Sequence, residues 1–165
     1  MSSPSSSLTR DVDIRSEIAE LPPDVVRGML AGLPPSDGYP VFVKPLRSRT
    51  RPHLAAHTNF DDRRIVLQVP VPFYPFGEIV PYAAKRLPGK RMRFVWLTEG
   101  ITFREPREVL RYLYLHEWMH WYLREELGRK AAAETACERF ALRNYLRDSV
   151  DTGDAREALR RRRTP

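Results

Sequence analysis

The chain has 165 residues, 42% of them hydrophobic, which suffices for one domain with a buried core. No run approaches 18 apolar residues, so nothing in the sequence reads as a membrane-spanning helix. Lys and Arg number 28 against 21 Asp and Glu, a formal charge of +7, and the single cysteine, Cys137, excludes an internal disulfide framework.

Residues 1–10 are Ser-rich and lack an apolar signal core, which predicts a disordered tail. With the lone thiol this makes the cytoplasm the expected location. Residues 11–150 read as a single domain and 151–165 as a basic tail containing four consecutive arginines, Arg160 to Arg163. Ile14, Ile18 and Leu21 at helical spacing predict a short helix over 11–21, ended by Pro22-Pro23. Pro23-Asp24 can start another over 25–33, and Pro34-Pro35-Ser36-Asp37-Gly38 is a loop by composition. Val41-Phe42-Val43 reads as a strand stopped by Pro45. The polar stretch 50–62 reads as a loop or helical turn. Its His53 and His57 are four apart, but no carboxylate follows His53, so they are expected as ordinary histidines rather than ligands.

Arg64 to Val69, rich in β-branched residues, predicts a strand. Pro70, Pro72, Pro75 and Pro81 then forbid a central strand, and an aromatic loop with Phe73, Tyr74, Phe76 and Tyr82 is expected. Arg91 to Thr98 predicts a strand, Glu99-Gly100 a turn, and Ile101 to Phe103 a third short strand. Basic clusters at Arg47, Arg49 and Arg51, at Lys85, Arg86, Lys90, Arg91 and Arg93, and at Arg160–Arg163 read first as solvated segments. Weak contact with nucleic acid is their functional alternative.

Pro106, with Glu105 and Glu108 beside it, starts a helix expected to run to Leu127, with Gly128 ending it. Val109, Leu113, His116, His120, Leu123 and Leu127 form one inward stripe, leaving Arg111, Arg124 and Glu125 for solvent. A second helix is expected over 129–147 as an antiparallel neighbour, and a last helical piece over 154–162.

His116-Glu117-Trp118-Met119-His120 is an H-E-x-x-H motif on the first of these helices. Residues i and i+4 share a helix face, so both imidazoles can meet one metal ion, with Glu117 beside its water. A third ligand is needed. Glu134 and Glu138 follow His120 by 14 and 18 residues, and a helix that rises about 12 Å to Gly128 and returns brings both near the histidine level. Spacing alone does not choose between them. A ligating histidine usually donates its other ring N–H to a carboxylate, which favours Glu134 on the metal and Glu138 behind His116 or His120.

This arrangement resembles the gluzincin metallopeptidases. Glu134-Thr135-Ala136-Cys137-Glu138-Arg139-Phe140-Ala141 is also similar to the E-x-x-A-[ND]-x-F-A stretch of the ImmA/IrrE-type small zincins, with Cys137 where that pattern has Ala and Glu138 where it has Asn or Asp. SprT-like proteins share H-E-x-x-H but use a third histidine downstream, and none follows His120. The resemblance implies an α+β fold with a minimal zincin core: a small twisted sheet, an active-site helix and a returning ligand helix. It implies Zn²⁺ held by His116, His120 and Glu134, with Glu117 as general base, in a peptidase acting on a protein or peptide. The substrate is expected to add to a sheet edge at 91–97 or 64–69, with Tyr82, Tyr114, Tyr145 or an arginine as oxyanion donor. The alternative is a zincin-fold protein that contacts nucleic acid or an acidic partner through its arginines, with a non-catalytic metal. The oligomeric state is left open.

Overall fold

The computed structural model describes residues 12–47, 52–89, 91, 93–130 and 133–160. Strands β1 (Ile14–Ser16), β2 (Val41–Leu46), β3 (Ala55–Asn59) and β4 (Arg64–Pro70) form a mixed sheet in the order β1-β2-β4-β3. The first three in that order run parallel, and β3 runs antiparallel to β4. Strands β5 (Phe76–Leu87) and β6 (Arg93–Phe103) pair as a separate antiparallel ribbon. Among the described residues four α-helices complete an α+β fold: α1 (Pro23–Met29), α2 (Pro106–Trp121), α3 (Glu134–Asn144) and α4 (Thr152–Leu159). The expected N-terminal tail lies outside the described residues.

One face of the sheet makes the core. Val41 and Val43 stand opposite Ile65 and Leu67 in register, and all four are buried. The helix expected over 11–21 is not formed among its described residues, 12–21. Val12 and Ile14 alternate with polar neighbours, and Ile14 pairs with Val41, so a strand register overrides the helical spacing. Strand β2 continues through Pro45, because β1 pairs only with Val41–Val43 and a missing N–H at 45 costs that ladder nothing. The stretch around His57 is a strand, not a loop. Its hairpin to β4 closes where the Asn59 side chain accepts from the Asp62 N–H and Arg63 adopts a φ of 53°.

The proline-rich segment also differs from its expected loop. Residues 76–87 form β5, and β6 runs unbroken through Glu99-Gly100, which pair with Val80 and Ile79. A two-stranded ribbon leaves every strand one free edge, so Pro81 is tolerated at the register shift between Pro81 and Ala83.

Helix α2 starts at Pro106 and is buried around most of its girth. After Trp121 it widens into a π-helical turn, Tyr122–Glu126, where the Leu127 N–H donates to the Tyr122 carbonyl, and Gly128 follows at a φ of +63°. Tyr114 and Trp118 donate from α2 to the carbonyls of Pro34 and Pro35, stapling that loop to the helix. Arg111 is not solvated. It is fully buried, and its guanidinium donates to the carbonyls of Tyr145 (2.8 Å), Met29 (2.9 Å) and Ala31 (2.8 Å), and to that of Arg147. Burial and Arg107 lower its pKa to about 10, so it remains a cation at neutral pH. The backbone exits of α1 and α3 are thereby tied to α2.

Helix α3 begins at Glu134 rather than 129, with Ala133 as its cap residue. Helix α4 begins at Thr152, with a capping box between Asp151 and Asp154, and Gly153 lies inside it. Ala155 and Ala158 are buried and Arg139 of α3 donates to the Ala158 carbonyl, so the segment expected as a tail from 151 folds back as far as 160. At Gly32 (φ +84°) the Asp148 carbonyl oxygen lies 1.8 Å from where a Cβ would sit, so only glycine fits. Among the described residues no helix is long and apolar enough to cross a membrane.

Replacing Arg111 by Met strands the carbonyls it serves. Chemical denaturation followed by tryptophan fluorescence is expected to show a loss of about 3 kcal/mol or more, with Lys intermediate. An unchanged midpoint would remove Arg111 from this role.

Candidate metal centre

Helix α2 sets His116 and His120 one turn apart, with their Nε2 atoms 3.3 Å from one another. Glu134, the first residue of α3, places its carboxylate between them: Oε2 is 3.2 Å from His116 Nε2 and Oε1 is 2.8 Å from His120 Nε2. Ligand atoms of the three residues all lie within 4.8 Å of one another, and together they can hold a metal ion. A tetrahedral ion with bonds of about 2.0–2.1 Å spaces its ligands about 3.3 Å apart, so the group is already near the size a small divalent ion requires.

The order of contacts shows that α3 returns antiparallel to α2. Glu134 meets His120 and His116, Glu138 meets His116 and Tyr112, and the Tyr145 carbonyl, just past α3, meets Arg111. Glu138 Oε1 accepts from His116 Nδ1 at 2.6 Å, which leaves Nε2 as the ring atom that faces the group and that would ligate once a metal replaces its proton. Tyr112 donates its hydroxyl to the other oxygen of Glu138, also at 2.6 Å. Burial and the Glu138 charge push the Tyr112 pKa up, so it stays a donor. The chain Tyr112–Glu138–His116 therefore fixes one imidazole from behind.

Two imidazoles here face three carboxylates. Burial alone would lower the His116 pKa, but hydrogen bonds with Glu134 and Glu138 and the charge of Glu117 raise it to about 10. Burial and the neighbouring His116 lower that of His120. The bond to His116 holds Glu134 below the usual carboxylate range. Such a surplus of negative charge suits a cation.

Glu117 is buried, and its Oε1 accepts from the Thr58 hydroxyl at 3.0 Å while Oε2 lies 3.7 Å from His116 Nε2. Burial raises its pKa, opposed by the His116 charge and the Thr58 hydrogen bond. The Glu134 side chain, by contrast, is 65% exposed, so the group opens to solvent on the α3 side.

The four residues expected around the metal, His116, His120, Glu134 and Glu138, come together with Glu117. Two partners were missed by sequence reasoning. Tyr112 was legible in principle, four residues before His116 on the same face. Thr58 was hidden because its strand read as a loop. Other expectations change: the Tyr114 hydroxyl is committed to Pro34, which removes it as an oxyanion donor, and Tyr145 packs against the rings of Phe103 and Tyr112. Strand β4 is flanked on both sides, so 64–69 offers no free edge. His57 is exposed on β3 and is not one of the residues of the group. Burial pushes the Cys137 thiol up, which keeps it protonated on α3. No protein-family model, curated protein or solved structure matches this chain.

Metal analysis of purified variants tests the ligand set. His120→Ala and Glu134→Ala are expected to lose stoichiometric metal, whereas Glu138→Gln retains it with affinity weakened about 10–100-fold in chelator competition. Full-affinity binding by Glu134→Ala would exclude that residue as a ligand.

Proposed function

We propose that the protein is a zinc-dependent peptidase of minimal zincin type, with the ion held by His116, His120 and Glu134. The observation that carries the reading is Glu117, a buried carboxylate of raised pKa set beside the ligand group and steered by Thr58. A two-imidazole, one-carboxylate set suits zinc and leaves a fourth position for water. Bound there, zinc supplies Lewis acidity toward a scissile carbonyl and lowers the pKa of water toward about 7.

The chain's own residues supply the rest. Glu117 takes the proton of the attacking water and delivers it to the leaving amine. Thr58 holds the Glu117 carboxylate in one orientation, and Glu138 with Tyr112 holds His116 in one tautomer. Among the described residues strand β3 has a sheet partner on one side only, and it carries Thr58 to Glu117. An extended peptide adding to that free edge would be aligned beside the carboxylate, so the substrate is a protein or peptide in extended form. The single, buried Cys137 suits the cytoplasm. A binding protein with a non-catalytic metal would leave Glu117 and its Thr58 hydrogen bond without a task.

Glu117→Gln keeps the shape and removes the base. It is expected to bind zinc as the wild type does while cleavage of a peptide library, read by mass spectrometry, falls about 10²–10⁴-fold. Undiminished cleavage by the variant, or a wild type that cuts nothing in the library or in folded protein substrates, would reject the proposal.

A further inference from the structure

The β5–β6 ribbon has two halves of different character. Its base belongs to the core, with Phe76, Val80, Ile101 and Phe103 buried. Arg139 of α3 clamps the ribbon where the register shifts, donating to the Tyr82 carbonyl at 2.7 Å while it also holds Ala158. Beyond that clamp no described residue from 83 to 97 is buried. Phe94 and Trp96 are 54% and 59% exposed, an uncommon state for two large rings two residues apart.

The register sorts the side chains. Arg86 stands opposite Phe94 and Ala84 opposite Trp96, so Arg86 shares one face with both rings. Lys85 and Arg93 lie on the other face, and Arg91 is exposed near the turn. Residues 81–98 contain no Asp or Glu. The distal ribbon is therefore a cationic arm bearing an aromatic platform.

We propose that this face binds single-stranded nucleic acid, with bases stacked on Phe94 and Trp96 and the phosphate backbone met by Arg86 within the field of Lys85, Arg91 and Arg93. Stacking on exposed rings needs unstacked bases, which a duplex does not offer. The alternation of the rings along one strand presents them to successive bases. A hairpin built to enter a lipid surface would carry its rings at the turn. Here the last ladder pair is Leu87 with Arg93, the five residues joining them in sequence are Pro88-Gly89-Lys90-Arg91-Met92 with no aromatic ring, and both rings lie on the paired strand β6. The inference does not rest on the peptidase reading. If both hold, the arm brings the centre to proteins bound on nucleic acid.

The test uses the full chain with fluorescently labelled 20-nucleotide oligo-dT, read by anisotropy at several salt concentrations. The wild type is expected to bind with strong salt dependence. Trp96→Ala should weaken binding roughly 5–100-fold with little change of salt slope, and Trp96→Phe should restore most of it. Arg86→Ala should lower the slope by about 0.7. Because Trp96 is exposed, the fluorescence of buried Trp118 and Trp121 should stay that of the native fold. Wild-type affinity in Trp96→Ala, no binding of the oligonucleotide, or a preference for acidic phospholipid vesicles or polyglutamate over it would each overturn the proposal.

Discussion

The Glu134 carboxylate lying between two imidazoles of α2 is the contact on which the site depends. It joins the first turn of one helix to the last turn of another, and with Glu117 and Glu138 it gathers three acids around two histidines. Ionisable groups packed this closely are costly to desolvate unless opposite charge compensates them. In the chain alone a proton on His116 does so, which is why its pKa rises against the effect of burial. A divalent ion would meet the same need with three ligand atoms already gathered.

The scaffold maintains that contact by fixing how α3 slides along α2. Near the far end of the pair the buried Arg111 cation gathers carbonyls from the ends of α1 and α3, so the start of α3 falls level with the histidines. Tyr112 and Glu138 then work at half the distance, and Glu134 at the mouth. On the opposite side β3 lays Thr58 over Glu117. His116 and Glu117 thus each have a neighbour that removes rotational freedom, whereas His120 and Glu134 meet one another across the group and Glu134 stays largely exposed.

What could be read from the sequence was what depends on local spacing. His116, Glu117 and His120 lie within one turn and a third of helix, and Glu134 and Glu138 are one turn apart, so helical geometry alone relates the members of each set. The strands were harder, because pairing is non-local. Ile14 looks helical until Val41 stands opposite it, and the residues around His57 look polar and loose until β4 supplies their ladder. The prolines from 70 to 81, of which Pro81 alone lies in β5, argued against a central strand there but not against a ribbon with free edges. Arg111 was misjudged for a similar reason: an arginine among carbonyls from 29, 31, 145 and 147 is indistinguishable in sequence from one in water. Thr58 went unnoticed with its strand.

The most direct test of the metal centre is an anomalous-difference map from crystals of the zinc-loaded protein. A peak is expected within about 2.0–2.2 Å of His116 Nε2, His120 Nε2 and a Glu134 oxygen, with Glu138 still on His116 Nδ1. Stoichiometric zinc bound elsewhere, or at these histidines with Glu138 as the third ligand, would contradict it.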